Sequence, residues 1–192
     1  DFEMVSAAVF ASDKMDVTPH LSLNAGVRYD LSRVSTHSYR DWFKSPVSSG
    51  SPDSLYVERS KAMDGMFSAL TWSAGVVYDN AGWILKANVG KGFRVPTAKE
   101  LGCNGISYQL FRYEQGNPSL SPEESYQLDA SVIFQNKRLT VEIDPYINYF
   151  PNYIYLNPTP DYIEGMQLYN YTQARVWRWG AEAQVTYSFC RF

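Results

Sequence analysis

The residues able to carry chemistry are few. Two histidines, His20 and His37, and two cysteines, Cys103 and Cys190, occur in 192 residues. A metal centre needs three or four converging ligands, and neither pair has ligand spacing. His37 shares a long polar stretch with Asp41, whereas His20 opens an alternating segment beside a tight turn, so the two are expected at opposite rims as surface residues. Glu123 and Glu124 could suggest a carboxylate pair. Adjacent side chains of an extended chain point to opposite faces and cannot share a substrate proton, so both read as solvated loop-to-strand residues. No Gly-x-Ser-x-Gly elbow occurs and no Ser, His and acid set can be assembled. No enzyme activity and no cofactor is expected.

The elements that would position any site come next. Hydrophobic residues at 45% and charged residues at 19% are ordinary, but 16% are aromatic, led by 15 Tyr. Such residues favour strands and membrane interfaces. A net charge of −3 offers no clustered basic face for nucleic acid. No apolar run approaches the roughly 18 residues of a helical membrane span. The chain opens at Asp1 without a leader and reads as a segment of a longer protein.

Strict period-two alternation, the mark of a strand with one apolar face, runs through Leu21, Leu23, Ala25, Val27, Tyr29 and Leu31. It recurs from Met66 to Tyr78, from Trp83 to Phe93 with Lys91 the single charge on the apolar side, from Tyr126 to Phe134, from Leu139 to Tyr149, and from Trp177 to Phe189. A first strand near Met4 to Ala11 brings the count to about seven, with runs of about 10–14 residues, longer than soluble strands. Pro145 falls inside a strand and predicts a bulge or an unpaired donor site. Links at 13–19, 79–82 and 136–138 are short, whereas 35–64, 95–124 and 157–165 are long. Alternating short and long links put every long loop on one rim, the asymmetry of outer-membrane barrels. A soluble sandwich also alternates; strand length, loop asymmetry and aromatics near strand ends favour the barrel.

Gly92-Phe93-Arg94-Val95-Pro96-Thr97-Ala98-Lys99-Glu100-Leu101, followed by Gly116-Asn117-Pro118-Ser119-Leu120-Ser121-Pro122-Glu123, resembles the barrel signature of TonB-dependent receptors. Gly26-Val27-Arg28-Tyr29-Asp30 resembles that family's recurring strand phrase, and the stretch from Tyr171 to Glu182 its later strand ending Gly-Ala-Glu. The likeness covers the chain apart from 35–64. It implies an all-β antiparallel meander forming part of a transmembrane barrel of roughly 22 strands around a plug. Residues 1–192 would then be a partial barrel. The plug, the segment contacting TonB and the remaining strands would lie outside it.

The resemblance implies a bacterial outer-membrane receptor that binds a ligand of unknown class outside and imports it with energy from TonB. Its partners would be outer-membrane lipid, TonB and that ligand. Ligand contact is expected at the extracellular rim, from Tyr39, Trp42, Arg94, Lys99, Glu100, Asn104, Tyr108, Arg112, Tyr113 and Glu114, which mix aromatic surface with charge. Two other classes stand beside it: a soluble adhesion or carbohydrate-binding sandwich, separable by its lack of detergent requirement, and a barrel hydrolase using His20 or His37 as base. Cys103 at the long-loop rim and Cys190 toward the other are expected not to pair, since a disulfide needs Cα atoms within roughly 7 Å.

Overall fold

A computed structural model describes residues 2–46 and 51–189. Its strands in chain order are β1 (Phe2–Thr18), β2 (Leu21–Thr36), β3 (Tyr39–Arg40), β4 (Ser45–Pro46), β5 (Ser54–Leu55), β6 (Glu58–Ser60), β7 (Met63–Asn80) and β8 (Trp83–Arg94). A short helix, α1 (Ala98–Gly102), precedes β9 (Asn104–Ser107), β10 (Arg112–Gln115), β11 (Glu123–Gln135), β12 (Leu139–Ile163) and β13 (Met166–Tyr187). Seven of these are long and pair in sequence, β1-β2-β7-β8-β11-β12-β13, as an antiparallel meander. The links at 37–62 and 95–122 leave the same rim.

Turn chemistry sets this topology. Ala81 and Gly82 have φ of 51° and 87°, and Glu164 and Gly165 have 51° and 76°, the two left-handed residues that a two-residue hairpin needs to match strand twist. At Gly82 a Cβ would lie 2.5 Å from the Gln135 carbonyl oxygen, so the turn also requires close approach.

The predicted long link at 157–165 is not a loop. β12 runs on to Ile163 and turns at once into β13. Two irregularities, between Phe150 and Tyr153 and between Pro158 and Tyr162, absorb the prolines that made this stretch read as a link. The first strand is likewise longer than Met4 to Ala11. Two short strands extend the sheet past its last long one, and β10 lies parallel to β13, so the sheet is not wholly antiparallel.

Register shows two unlike faces. Trp72, Val76, Leu85, Val89, Leu128, Val132, Ala183 and Val185 share one face through the pairs Ala74–Val89, Val89–Leu128, Val132–Ile143 and Ile143–Ala183. Most of these side chains are exposed. The other face carries the row Asn24, Gly75, Asn88, Asp129, Tyr146 and Gly180. At Pro145 the β11–β12 ladder skips from Asp129–Tyr146 to Val132–Ile143, and the Ser131 hydroxyl there is buried without a partner. A proline cannot donate to the ladder.

The buried core is small and lies at the long-loop rim. Val34, Leu101, Leu120 and Ile154 form it, with Met63, Phe67, Val95, Ala98 and Tyr171 packed around them. Val34 alternates with Asp30 and Ser32 on the polar side of β2, so the 95–122 segment folds across the polar face.

Candidate functional site

Arg94 closes β8 and sits opposite Glu123, which opens β11. Its guanidinium donates to Glu100 at 2.8 Å and to Glu123 at 3.2 Å. Thr97 caps α1 reciprocally: its hydroxyl accepts from the Glu100 amide while Glu100 accepts from the Thr97 amide. The loop then doubles back, with Gly116 N–H donating to Cys103 O at 2.7 Å and Asn117 N–H to Glu100 O at 2.8 Å. The two signature segments thus clasp one another.

Glu123 corrects the expectation of a solvated carboxylate. It is buried, holds Arg94, and accepts from the Ile154 amide at 2.7 Å. Glu124 points to the opposite face, where it pairs with Lys91 at 2.8 Å, so the opposed directions expected of the pair hold.

A second ion cluster joins Lys99 and Arg112 to Glu114, at 2.6 and 2.7 Å. Burial opposes ionisation of Glu114, but hydrogen bonds from Lys99 and Arg112 outweigh it and hold its carboxyl below the ordinary range. Burial likewise opposes ionisation of Glu100, and hydrogen bonds from Arg94 prevail. Arg112 also lies over the Tyr169 ring, 5.1 Å from its centroid.

Arg59 is the hub that the sequence did not reveal. It donates to Asp41 at 2.7 Å, to Glu164 at 3.1 Å and weakly to the Tyr113 hydroxyl at 3.4 Å, and so ties the 37–62 link, the β12–β13 turn and β10 together. Tyr113 in turn donates to Asn104 at 2.8 Å, and Asn104 to the Glu58 carbonyl at 2.8 Å. No periodicity marks Arg59, and its segment is the one the resemblance does not cover.

Between these elements opens a cleft of about 520 Å³, lined among others by Asp41, Phe43, Arg59, Lys99, Asn104 and Glu114. Cys103 also lines it, and burial pushes its thiol up to about 11. Lys99, Asn104, Tyr108 and Glu114 from the expected set line this cleft. Arg112 and Tyr113 brace it from behind, and Arg94 with Glu100 fix the loop that carries it. Tyr39 and Trp42 are exposed on the neighbouring link, outside the cleft lining. Each charged group of the cleft already has an opposite partner, which suits holding a shaped surface better than proton transfer.

His20 and His37 are exposed at opposite rims. His20 Nδ1 lies 2.8 Å from the Asp79 carbonyl oxygen, in a turn contact. Among the described residues no group of three His, Cys, Asp or Glu side chains is placed to hold a metal. Cys190 lies outside the described residues.

A family model described as TonB dependent receptor-like, beta-barrel, matches residues 1–190. No curated protein matches the chain significantly in sequence. Among solved structures, a double mutant of the Serratia marcescens hemophore receptor HasR, in complex with its hemophore HasA and heme, superposes with a TM-score of 0.75 at 21% identity, over 96% of this chain and 32% of that one. The copper transporter OprC gives 0.78 at 15% identity, over 99% and 28%. The ferric-catecholate import receptor Fiu from E. coli K12 gives 0.63 at 16%, over 98% and 26%. This chain therefore spans about a third or less of each. At these identities the likeness concerns the fold, that of part of a barrel, and these relatives are bacterial outer-membrane transport receptors rather than enzymes.

Proposed function

Because this chain belongs to the TonB-dependent receptor-like β-barrel family, we propose that it forms part of the wall and ligand-capturing rim of an outer-membrane uptake receptor. The ligand is bound at the long-loop rim and imported with energy relayed by TonB through parts of the protein outside these residues. The apolar sheet face meets outer-membrane lipid, and the polar face lines the lumen. The observation that carries the reading is a sheet apolar on one face and polar on the other, whose polar face is roofed at one rim by a braced cleft.

HasR is a hemophore receptor seen with its hemophore and heme, OprC a copper transporter and Fiu a ferric-catecholate import receptor, which supports a metal-bearing cargo. Within the site, Lys99, Asn104, Tyr108 and Glu114 are the proposed contacts in the cleft, and Tyr39 and Trp42 those on the exposed rim. Arg94, Glu100, Arg112 and Tyr113 shape it. The test is growth of a strain lacking the full-length gene on single iron or copper sources, with the gene restored as wild type or as Tyr108→Ala with Lys99→Gln. Rescue by the wild type on one source, and its loss in the double variant at equal surface expression, is the expected result. Full rescue by the double variant would remove these residues from the site.

A further inference from the structure

The β9–β10 hairpin ends in a loop that breaks two local rules at once. Ser107 and Arg112 close it, and the Leu110 N–H donates to the Ser107 carbonyl at 3.1 Å. A left-handed residue near the end of such a loop is a position that glycine fills at no steric cost. Here it is Phe111, with φ of 49°. Among the described residues, the other non-glycine residues in this conformation are Ala81 and Glu164, each followed by glycine in a two-residue turn. A bulky aromatic residue in the left-handed region is an outlier, and such strain persists where the surroundings compensate it. Among the described residues nothing does, for Phe111 is 75% exposed.

The second broken rule is apolar exposure. Tyr108 and Leu110 of the same loop are 72% and 57% exposed, and the three side chains together present about 400 Å² of surface, a size at which an exposed patch marks a contact site. Phe43 lines the cleft together with Tyr108, and Trp42 packs edge-on against Phe43 with centroids 5.5 Å apart. The patch therefore continues across the mouth of the cleft.

What covers the loop follows from where it stands and from how long the cover must last. Register places Ser107, Arg112, Gln167 and Tyr162 in one row, one ladder step short of the pair that closes the Glu164–Gly165 turn. The loop is thus level with the far end of the β12–β13 hairpin. β13 runs ten residues, about 33 Å, from Trp177 to that level, and the ten residues from Tyr187 to Trp177 already suffice for a membrane crossing. Lipid is not the cover. Tyr108 lines the cleft of about 520 Å³, but Leu110 and Phe111 stand outside its lining, and a cargo that comes and goes would leave strain and exposure uncompensated in every empty receptor. A transient protein partner would do the same. A cover present from folding onwards belongs to the receptor itself. This chain spans about a third or less of each similar barrel, and the rest of such a wall raises its own loops on the same rim.

We infer that this loop is an anchor between rim segments: in the full receptor Leu110 and Phe111 insert among apolar side chains of rim loops outside residues 1–192. The insertion braces the mouth of the cleft where Tyr108 stands, so that the mouth is shared between this chain and another part of the wall.

This inference rests on the receptor reading, and the experiment separates the two. Phe111→Gly is placed in the full-length receptor, purified in detergent, and hydrogen exchange is followed over residues 104–115. Glycine relieves the left-handed strain, so an uncovered loop would exchange as slowly as the wild type or more slowly. A seated ring reverses the sign, since losing its burial outweighs the relief, and exchange quickens about tenfold. Maleimide labelling gives a second measurement, with native cysteines replaced by serine and Phe111→Cys compared with Gln109→Cys in the same exposed loop. The Phe111→Cys variant is expected to react at least about tenfold more slowly. Unchanged or slower exchange in Phe111→Gly overturns the anchor. So do equal labelling rates, including equal rates that separate only after the iron or copper source that supports growth is added. Those outcomes leave the barrel intact, as heat-modifiable migration in gels shows. A wild-type receptor lacking that migration overturns the receptor reading, and the anchor with it.

Discussion

Gly116→Ala is the sharpest probe of the clasp between the two signature segments. A Cβ built on Gly116 lies 2.6 Å from Gly102 N, 2.8 Å from Cys103 N and 2.8 Å from Leu101 C. All three are backbone atoms at the end of α1, so no side chain can rotate out of the way. Relief must come from separating the loop from the helix, at the expense of the bonds from Gly116 N–H to Cys103 O and from Asn117 N–H to Glu100 O. Overpacking costs about 1–3 kcal/mol and each lost hydrogen bond about 0.5–1.5 kcal/mol, giving about 2–6 kcal/mol of local destabilisation. Even about 2 kcal/mol raises local opening roughly 25-fold. Limited proteolysis or hydrogen exchange of the full receptor reads this directly: residues 95–122 lose protection by at least that factor, while heat-modifiable migration stays that of the wild type. Unchanged protection in that segment would refute the close-approach argument and leave the clasp without a cause.

Val89→Arg puts a charge on the apolar face and is expected to cost about 2–4 kcal/mol, measured as folded yield in the outer membrane; wild-type insertion would reverse the face assignment. Glu100 and Glu114 have carboxyls held below their ordinary value of 4.5 by Arg94, and by Lys99 with Arg112. A group depressed in the folded state contributes stability that is complete above its unfolded value and is lost as pH falls through its folded value. Pepsin cleavage of 95–122 is therefore expected to stay slow down to about pH 4.5 and to rise below it, with the rise reduced in Glu114→Gln. Cys103, half-buried with its thiol pushed up to about 11, is expected to react far more slowly with maleimide at neutral pH in native receptor than after denaturation.

Legibility in the sequence followed the range of the interactions involved. Alternation needs only neighbours two residues apart, and it placed eight apolar side chains on one face and β2, β7, β8 and β11 nearly to their ends, while β1, β12 and β13 run on beyond their alternating segments. Gly82 revealed its turn because a left-handed residue leaves a compositional mark. β12 was cut short at Asn157 because Pro151, Pro158 and Pro160 read as loop. Bulges keep the hairpin intact around them, and only the pairing with β13 shows that. β9 and β10 have four residues each, too few for a period, and β10 finds its partner more than 50 residues away. In the site, the signature residues were visible but their work was not. Arg94, Glu100 and Glu123 read as ligand contacts or solvated charge until the clasp showed them bonded to one another. Arg59 left no trace, since a hub is defined by what reaches it from elsewhere in the chain.

β10 pairs with the edge of β13 from Gln167 to Asn170, where the β12–β13 hairpin rises toward its turn. It satisfies backbone donors and acceptors that a bare edge would present to other chains, and Tyr113 with Asn104 and Glu114 with Lys99 pin it there. The excursion that carries the cleft thereby doubles as an edge cover for the longest hairpin of the sheet.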